Sequence, residues 1–172
     1  MRRLRYQVAT SLDGYIAGPN GEFDWIVQDP DINFSEVFGM FDTAVMGRKT
    51  FAVIAAQTAP VMPGLDVVVY SNTLRPADYP DVTVINSDPV QHVQSLKAKA
   101  GKDIWLFGGG ALFRTFLEAG VVDIVELAVI PVLLGSGVPM LAAPYLKTTL
   151  ILIKQRVYEK SGTVLLEYSI RR

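Results

Sequence analysis

Apolar residues along this chain change their spacing repeatedly, and each change marks an element. Short apolar runs read as strands at Leu4–Thr10, Thr43–Met46, Asp66–Tyr70, Val82–Ile85, Ile104–Phe107 and Asp123–Ile130, with a brief piece at Tyr15–Ala17. Between them the period becomes helical. Asn33 stands three residues before Glu36, the spacing of a capping box, and Phe34, Val37, Phe38 and Phe41 follow at i, i+3, i+4 and i+7. Thr50–Ala56 is a second helix. Asp88, Pro89 and Gln91 supply an N-cap, a proline at N1 and a capping-box partner for a third helix running to Ala100. The tail differs: Leu150–Tyr158 and Thr163–Ile170 flank the turn Lys160–Ser161–Gly162, and Val164, Leu166, Tyr168 and Ile170 share one face. Loops are expected at Gly18–Gly21, Pro60–Gly64 and Ser71–Pro80. The alternation predicts one α/β domain over residues 1–172, its central sheet mostly parallel with an antiparallel C-terminal hairpin and helices on both faces.

One stretch organises the rest. In DIWLFGGGALFRTFLEAG (Asp103–Gly120) an apolar strand runs through three glycines into a helix formed by Ala111, Leu112, Phe113, Phe116 and Leu117, with Gly120 as its C-terminal stop. A strand–glycine–helix passage aims unpaired backbone N–H groups and the positive end of a helix dipole at one point, with no Cβ in the way. An anion such as phosphate suits it. In an open α/β sheet ligands collect at the carboxyl ends of the strands, and four loops leave such ends: Thr10–Gly14, Gly47–Thr50, Ser71–Arg75 and Gly108–Ala111. They carry glycines, hydroxyls, Arg48, Lys49 and Arg75, the contents expected for a phosphate-rich ligand.

Charge and composition narrow the classes. Sixteen basic against seventeen acidic residues, with no basic stripe, argue against nucleic acid and anionic membranes as general partners. The absence of cysteine removes thiol catalysis and thiolate metal sites and suits a cytoplasmic protein. A single histidine, His92, expected at the surface, leaves no metal site to propose. The N-terminal segment lacks the apolar run of a signal peptide. Leu127–Leu146 carries no charge over twenty residues, yet Pro131, Pro139 and Pro144 break it, so a buried strand and an ordered loop are expected rather than a membrane span.

Two nucleotide motifs fail on inspection. GGGALF lacks the third glycine of the dinucleotide fingerprint, and Asp42 stands where a P-loop needs its leading glycine. Taken together, VMGRKTF, a strand ending in YSN, and IWLFGGGALF resemble the dihydrofolate-reductase-like superfamily. VATSLDGYIAG and VDIVELAVIPVLLGSGVPML resemble more narrowly the reductase domain of the bifunctional riboflavin-biosynthesis deaminase-reductase. The resemblance runs from about Tyr6 to Leu141. It implies a three-layer fold and an NADPH-dependent reductase passing hydride to a small heterocycle, pterin-like or like 5-amino-6-(5-phosphoribosylamino)uracil, or to another C=N or C=O acceptor.

Carried onto this chain, it places Gly47, Arg48, Lys49, Thr50, Ser71 and Asn72 on the adenosine side, with Arg48 on the 2′-phosphate. Phe107, Gly108, Gly109, Gly110, Ala111, Leu112 and Phe113 would cradle the pyrophosphate, and Ala9 and Ile16 would border the nicotinamide. Asp31 and Asp13 are candidates for supporting protonation, with Glu36, which also reads as a capping residue, and a bound water as alternatives; Trp25, Phe34 and Phe38 would wall the substrate pocket. Gly18–Pro30 is a candidate lid. These residues hold no deaminase motif or zinc-ligand set, and no basic cluster follows Trp25 to take a ribose phosphate or a folate glutamate. The rival expectation is a non-catalytic NADPH-binding sensor or assembly protein. A homodimer is expected through the exposed face of the terminal strands, with LLGSGVPML nearby.

Overall fold

The computed structural model describes residues 1–57, 62–145 and 147–171. In chain order the strands are β1 (Leu4–Ser11), β2 (Tyr15–Ala17), β3 (Phe41–Gly47), β4 (Asp66–Tyr70), β5 (Thr83–Ile85), β6 (Asp103–Gly108), β7 (Ile124–Ile130), β8 (Val138–Pro139), β9 (Leu150–Tyr158) and β10 (Thr163–Ile170). The helices are α1 (Phe34–Gly39), α2 (Arg48–Ala55), α3 (Pro89–Ala98) and α4 (Gly110–Glu118). Eight strands form one sheet in the order β5-β4-β3-β6-β1-β7-β10-β9, and β2 pairs with β8 in a separate ribbon. The six strands from β5 to β7 run parallel, and β10 joins antiparallel to β7. This is the three-layer dihydrofolate-reductase-like architecture with an antiparallel terminal hairpin.

Alternation along the strands sorts side chains onto two faces. One carries Leu4, Tyr6, Val45, Ile104, Leu106 and Val125 against Val93 and Leu96 of α3 and Phe113 and Phe116 of α4. The other carries Phe41, Ala44, Met46, Val67, Val69 and Trp105 against Phe51 of α2. On this second face β1 and β7 are polar: Arg5 and Glu126, 4% and 3% exposed, form an ion pair, and Gln7 Nε2 donates to Glu126 at 2.9 Å. No helix among the described residues is long and apolar enough to cross a membrane, and β7 leads into the loop around β8.

Several elements differ from expectation. The i, i+3, i+4, i+7 pattern after Asn33 does not make one helical face: α1 ends at Gly39, and Phe41 opens β3 and stacks on Trp105 at 5.2 Å. Burial in the sheet outweighs the helical period there. Asn33 does cap α1, its side chain accepting from the Glu36 backbone N–H. α2 starts two residues earlier than expected, because extended Gly47 serves as its N-cap and places Arg48 and Lys49 in its first turn. Pro60 and Val61 of the expected 60–64 loop lie outside the described residues. His92 is half-buried, not at the open surface, with Nδ1 3.0 Å from the Tyr70 hydroxyl. LLGSGVPML lies at the carboxyl end of the sheet against β2 and α4, where no side chain fits between Gly137 and the Ala17 carbonyl.

Candidate functional site

The carboxyl ends of β1, β3, β4, β6 and β7 lie along one edge of the sheet, and the loops leaving them build the site. β3 and β6 are neighbours, with Met46 opposite Gly108. Each runs directly into a helix whose N-cap is a glycine making no side-chain cap: Gly47 for α2 and Gly109 for α4. The first turn of a helix leaves up to four backbone N–H groups without intrahelical partners. Because α2 packs on one face and α4 on the other, two such turns meet above one strand pair. A Cβ built on Gly109 would find only Thr50 Oγ1, at 3.4 Å, and one on Gly47 nothing within 4 Å. The cradle is open where an anion would approach and carries exposed Arg48 and Lys49 at its rim.

The expected residues behave differently within it. Gly108, Gly109, Gly110 and exposed Ala111 form the turn itself. Phe113 is inside the core, stacked on Tyr6 at 3.8 Å, and its N–H already donates to the Gly109 carbonyl. Leu112 is half-buried against the same core, and Phe107 packs edge-on to Trp105. After β4, Ser71 Oγ accepts from the Thr73 and Leu74 N–H groups, so this hydroxyl shapes its own loop, and Asn72 is exposed beside it. Tyr70, Ser71, Asn72, Ile85, Ser87 and Pro89 line a 210 Å³ cavity there, room for part of a ligand rather than a whole one.

On the nicotinamide side, Ala9 shares a strand face with Gln7 and Arg5, and Ile16 lies on β2, which β8 braces. Asp13 accepts from Ser11 Oγ at 2.6 Å, Gly135 N at 2.7 Å and Leu134 N at 3.1 Å. These hydrogen bonds, the Ser11 one foremost, hold its carboxyl below the usual range. Asp13 therefore ties the loop after β1 to the loop after β7. Asp31 pairs with Lys160 of the hairpin turn at 2.8 Å, at the far end of the 18–32 loop. Asp29, 1% exposed, accepts from Ser161 N and Asp31 N, which pins the end of that loop to the hairpin. Burial would raise its carboxyl, but these donors and Lys160 bring it below the usual range.

Phe34 and Phe38 are 41% and 46% exposed, not core. Phe38 lies 5.6 Å from Trp105, which in turn meets Phe107, so an aromatic wall leads along β6 toward Gly108. Trp25 is half-buried, its indole donating to the Glu22 carbonyl. Trp105 backs this wall from the core at 7% exposure, the buried strand position expected of it. Sequence reading missed the brace from 137 to 142. The Met140 N–H donates to the Gly14 carbonyl, the Met140 carbonyl accepts from the Tyr6 hydroxyl, and the Ala142 N–H donates to the Gly110 carbonyl. Nothing in a run of glycines and prolines announces those partners. A cavity of about 610 Å³ lies at the opposite end of the sheet around Arg2, Asp66, Asp81 and Lys99. Arg2 there is already occupied by Asp42, Thr43 and the Lys102 carbonyl.

Comparison with known proteins agrees with this fold. The uncharacterised Bacillus subtilis protein YyaP is 34% identical over 97% of this chain and 94% of its own. A candidate riboflavin biosynthesis protein from Shewanella sp. PV-4 superposes with TM-score 0.84 at 28% identity, each chain fully covered. The diaminohydroxyphosphoribosylaminopyrimidine deaminase/5-amino-6-(5-phosphoribosylamino)uracil reductase of Thermotoga maritima shares the fold at TM-score 0.75 and 16% identity, over 99% of this chain and 57% of that one. Enterococcus faecalis dihydrofolate reductase, complexed with NADP(H), does so at TM-score 0.72 and 19% identity, over 99% and 97%. Residues 2–165 match the RibD C-terminal domain, and the chain belongs to that family.

Proposed function

We propose that this protein is an NADPH-dependent reductase that transfers hydride to a small heterocyclic or C=N/C=O acceptor. The observation that carries the reading is the pair of glycine-capped helix N-termini on β3 and β6, with Arg48 and Lys49 beside them. When bound, the nicotinamide supplies the hydride. The chain's own residues bind and orient. The N-terminal turns of α2 and α4 offer N–H donors to phosphate oxygens, and Arg48 offers a guanidinium to a 2′-phosphate. Ala9 on β1 and Ile16 on β2 would border the ring, and exposed Phe38, backed by buried Trp105, offers an aromatic face to a planar acceptor. Such a protein works mainly by placing two reactants against each other and excluding water.

The proton route runs through water in this reading, because Asp13 and Asp31 are both engaged, one by Ser11 and backbone N–H groups, the other by Lys160. That same engagement favours the second reading, a nucleotide-binding protein without turnover. Single-turnover oxidation of bound NADPH by pterins and pyrimidine precursors of flavin separates the two. The cofactor assignment is tested by calorimetric titration of wild type and Arg48→Ala with NADPH and NADH. A charge-assisted contact is worth about 1.5–3 kcal/mol, so NADPH affinity falls roughly ten- to hundredfold while NADH affinity stays put. Equal loss for both nucleotides, or no binding to wild type at all, refutes the assignment.

A further inference from the structure

We infer that the acceptor side of this site selects against anions, and that its substrate is an unphosphorylated C=N compound that enters neutral or protonated. Ala9, Ile16, Trp25, Phe34 and Phe38, the residues assigned to that side, all fall within residues 6–47. That segment holds seven acidic residues and no lysine or arginine. Two of the seven are paired: Asp31 with Lys160 at 2.8 Å, and Asp42 with Arg2 at the opposite end of the sheet. Asp29 has Lys160 nearby. Asp13, Glu22, Asp24 and Glu36 are exposed and form no ion pair among the described residues. Hydrogen bonds, foremost those from Ser11 and Asn20, hold the Asp13 and Glu22 carboxyls below the usual range, so both are ionised at neutral pH.

The strands beneath add no free cation. Arg5, 4% exposed, faces Glu126, Glu167 and Asp103. Lys154 and Arg156 stand on β9, three strands from β1 and so about 14 Å away, beyond the screening length at physiological salt. Gln7, two residues before Ala9 on the same strand face, presents an acceptor: Nε2 is engaged by Glu126 at 2.9 Å, and Oε1 is buried without a hydrogen-bond partner among the described residues. Turning that amide over would set its oxygen against the carboxylate, so its direction is fixed. Arg5 Nε, also without a partner, lies two residues further from this edge. The cofactor cradle has the opposite sign, with Arg48 and Lys49. A cleft of one sign concentrates ligands of the other and repels its own. A ribose phosphate or a glutamate tail is therefore repelled on the acceptor side, whereas an amine, a ring N–H or a protonated imine is not. Nearby carboxylates also favour the charged form of a basic nitrogen, so the C=N group takes its proton from solvent before reduction. Hydride from bound NADPH then forms a C–H bond at the iminium carbon, the C=N π pair becomes the nitrogen lone pair, and an amine and NADP+ result. No protein carboxylate has to give up a proton, which suits the engagement of Asp13 and Asp31.

This inference rests on the reductase reading, and two measurements keep their failures apart. In the first, wild type loaded with NADP+ is titrated calorimetrically at low salt with 5-amino-6-(ribosylamino)uracil and with the same compound carrying its 5′-phosphate. The unphosphorylated compound is expected to bind at least about tenfold tighter, and the gap to narrow in about 0.5 M salt. Equal or tighter binding of the phosphorylated compound overturns the inference, while failure of NADP+ itself to bind refutes the reductase reading. The second needs neither cofactor nor substrate, and it decides should neither compound bind. Of the two tryptophans, Trp105 is 7% exposed and Trp25 is half-buried beside Glu22 and Asp24, so collisional quenching reports the charge around Trp25. Iodide is expected to quench it less than neutral acrylamide does, each scaled to free N-acetyltryptophanamide. Glu22→Gln/Asp24→Asn is expected to raise iodide quenching at least about twofold and leave acrylamide quenching unchanged. Equal scaled quenching by iodide and acrylamide in wild type, or no response of iodide quenching to the double variant, overturns the inference.

Discussion

Gly110→Ala is the perturbation that tests the geometry of the cradle most directly. A Cβ on Gly110 would overlap the Pro139 carbonyl oxygen and stand 3.0 Å from the Met140 carbonyl oxygen and 3.1 Å from its carbon. All three are backbone atoms, so no side chain can swing aside and the 139–140 segment must move. That segment is held by Met140 N–H to the Gly14 carbonyl at 2.9 Å and by the Tyr6 hydroxyl to the Met140 carbonyl at 2.8 Å. Overpacking of this kind costs about 1–3 kcal/mol, and each weakened hydrogen bond adds about 1 kcal/mol. A loss of about 2–4 kcal/mol lowers the melting temperature by roughly 5–15 °C in a chain of this size. The control is Gly47→Ala, where the added methyl meets nothing within 4 Å and an N-cap change from glycine costs under about 1 kcal/mol. Its melt is expected to stay close to wild type while calorimetric NADPH affinity drops, because the methyl enters the open side of the cradle. Differential scanning calorimetry reads the first effect. A Gly110→Ala protein melting within about 1 °C of wild type would refute the claim that β8 is pressed against the start of α4.

Two further outcomes follow from buried polar groups. Arg5→Met removes the guanidinium that faces Glu126, Glu167 and Asp103 and leaves Glu126, 3% exposed, with only the Gln7 amide. Breaking one side of a buried pair costs about 3–5 kcal/mol, and replacing both sides by apolar residues recovers much of it. Arg5→Met/Glu126→Met should therefore melt above Arg5→Met alone, and a double variant melting lower contradicts the pairing. His92 is held below its ordinary value of 6.5, first by burial and then by Lys99, so the fold favours its neutral form. Above 6.5 both states are neutral and the group contributes nothing. As the pH falls below 6.5 the unfolded chain takes up the proton first, and stability declines until the folded form is protonated too. Thermal melts of wild type and His92→Gln between about pH 7.5 and 5 should show a shallower decline in the variant; parallel curves would exclude His92 as a cause.

Much of this protein was legible in the residues because local spacing and glycine placement are local physics. DIWLFGGGALFRTFLEAG became β6 and α4 with Gly120 in the left-handed region at φ 67°, and Asp88 caps α3 through the N–H groups of Val90 and Gln91. The parallel sheet, the terminal hairpin and the glycine passages at the strand ends were equally open to reading, since each is a statement about a few consecutive residues. Helix limits were less so. Phe41 fits the α1 period, yet its place between Trp105 and the α2 layer gives it more burial as a strand residue than a helix could.

What the sequence alone could not settle was which side chains are free to act. Asp13, Asp31 and Ser71 all looked available, and each is occupied by a partner far away in sequence or by its own loop: Gly135, Lys160 and the Leu74 N–H. Hydrogen-bond partners more than a hundred residues apart leave no periodic trace, so they exist only once the sheet has ordered its strands. The same holds for the brace of β8 on α4 and for the meeting of Phe38 with Trp105. Composition and spacing chose the fold and the edge of the sheet that would hold a ligand; tertiary contact decided which residues on that edge are spent on structure.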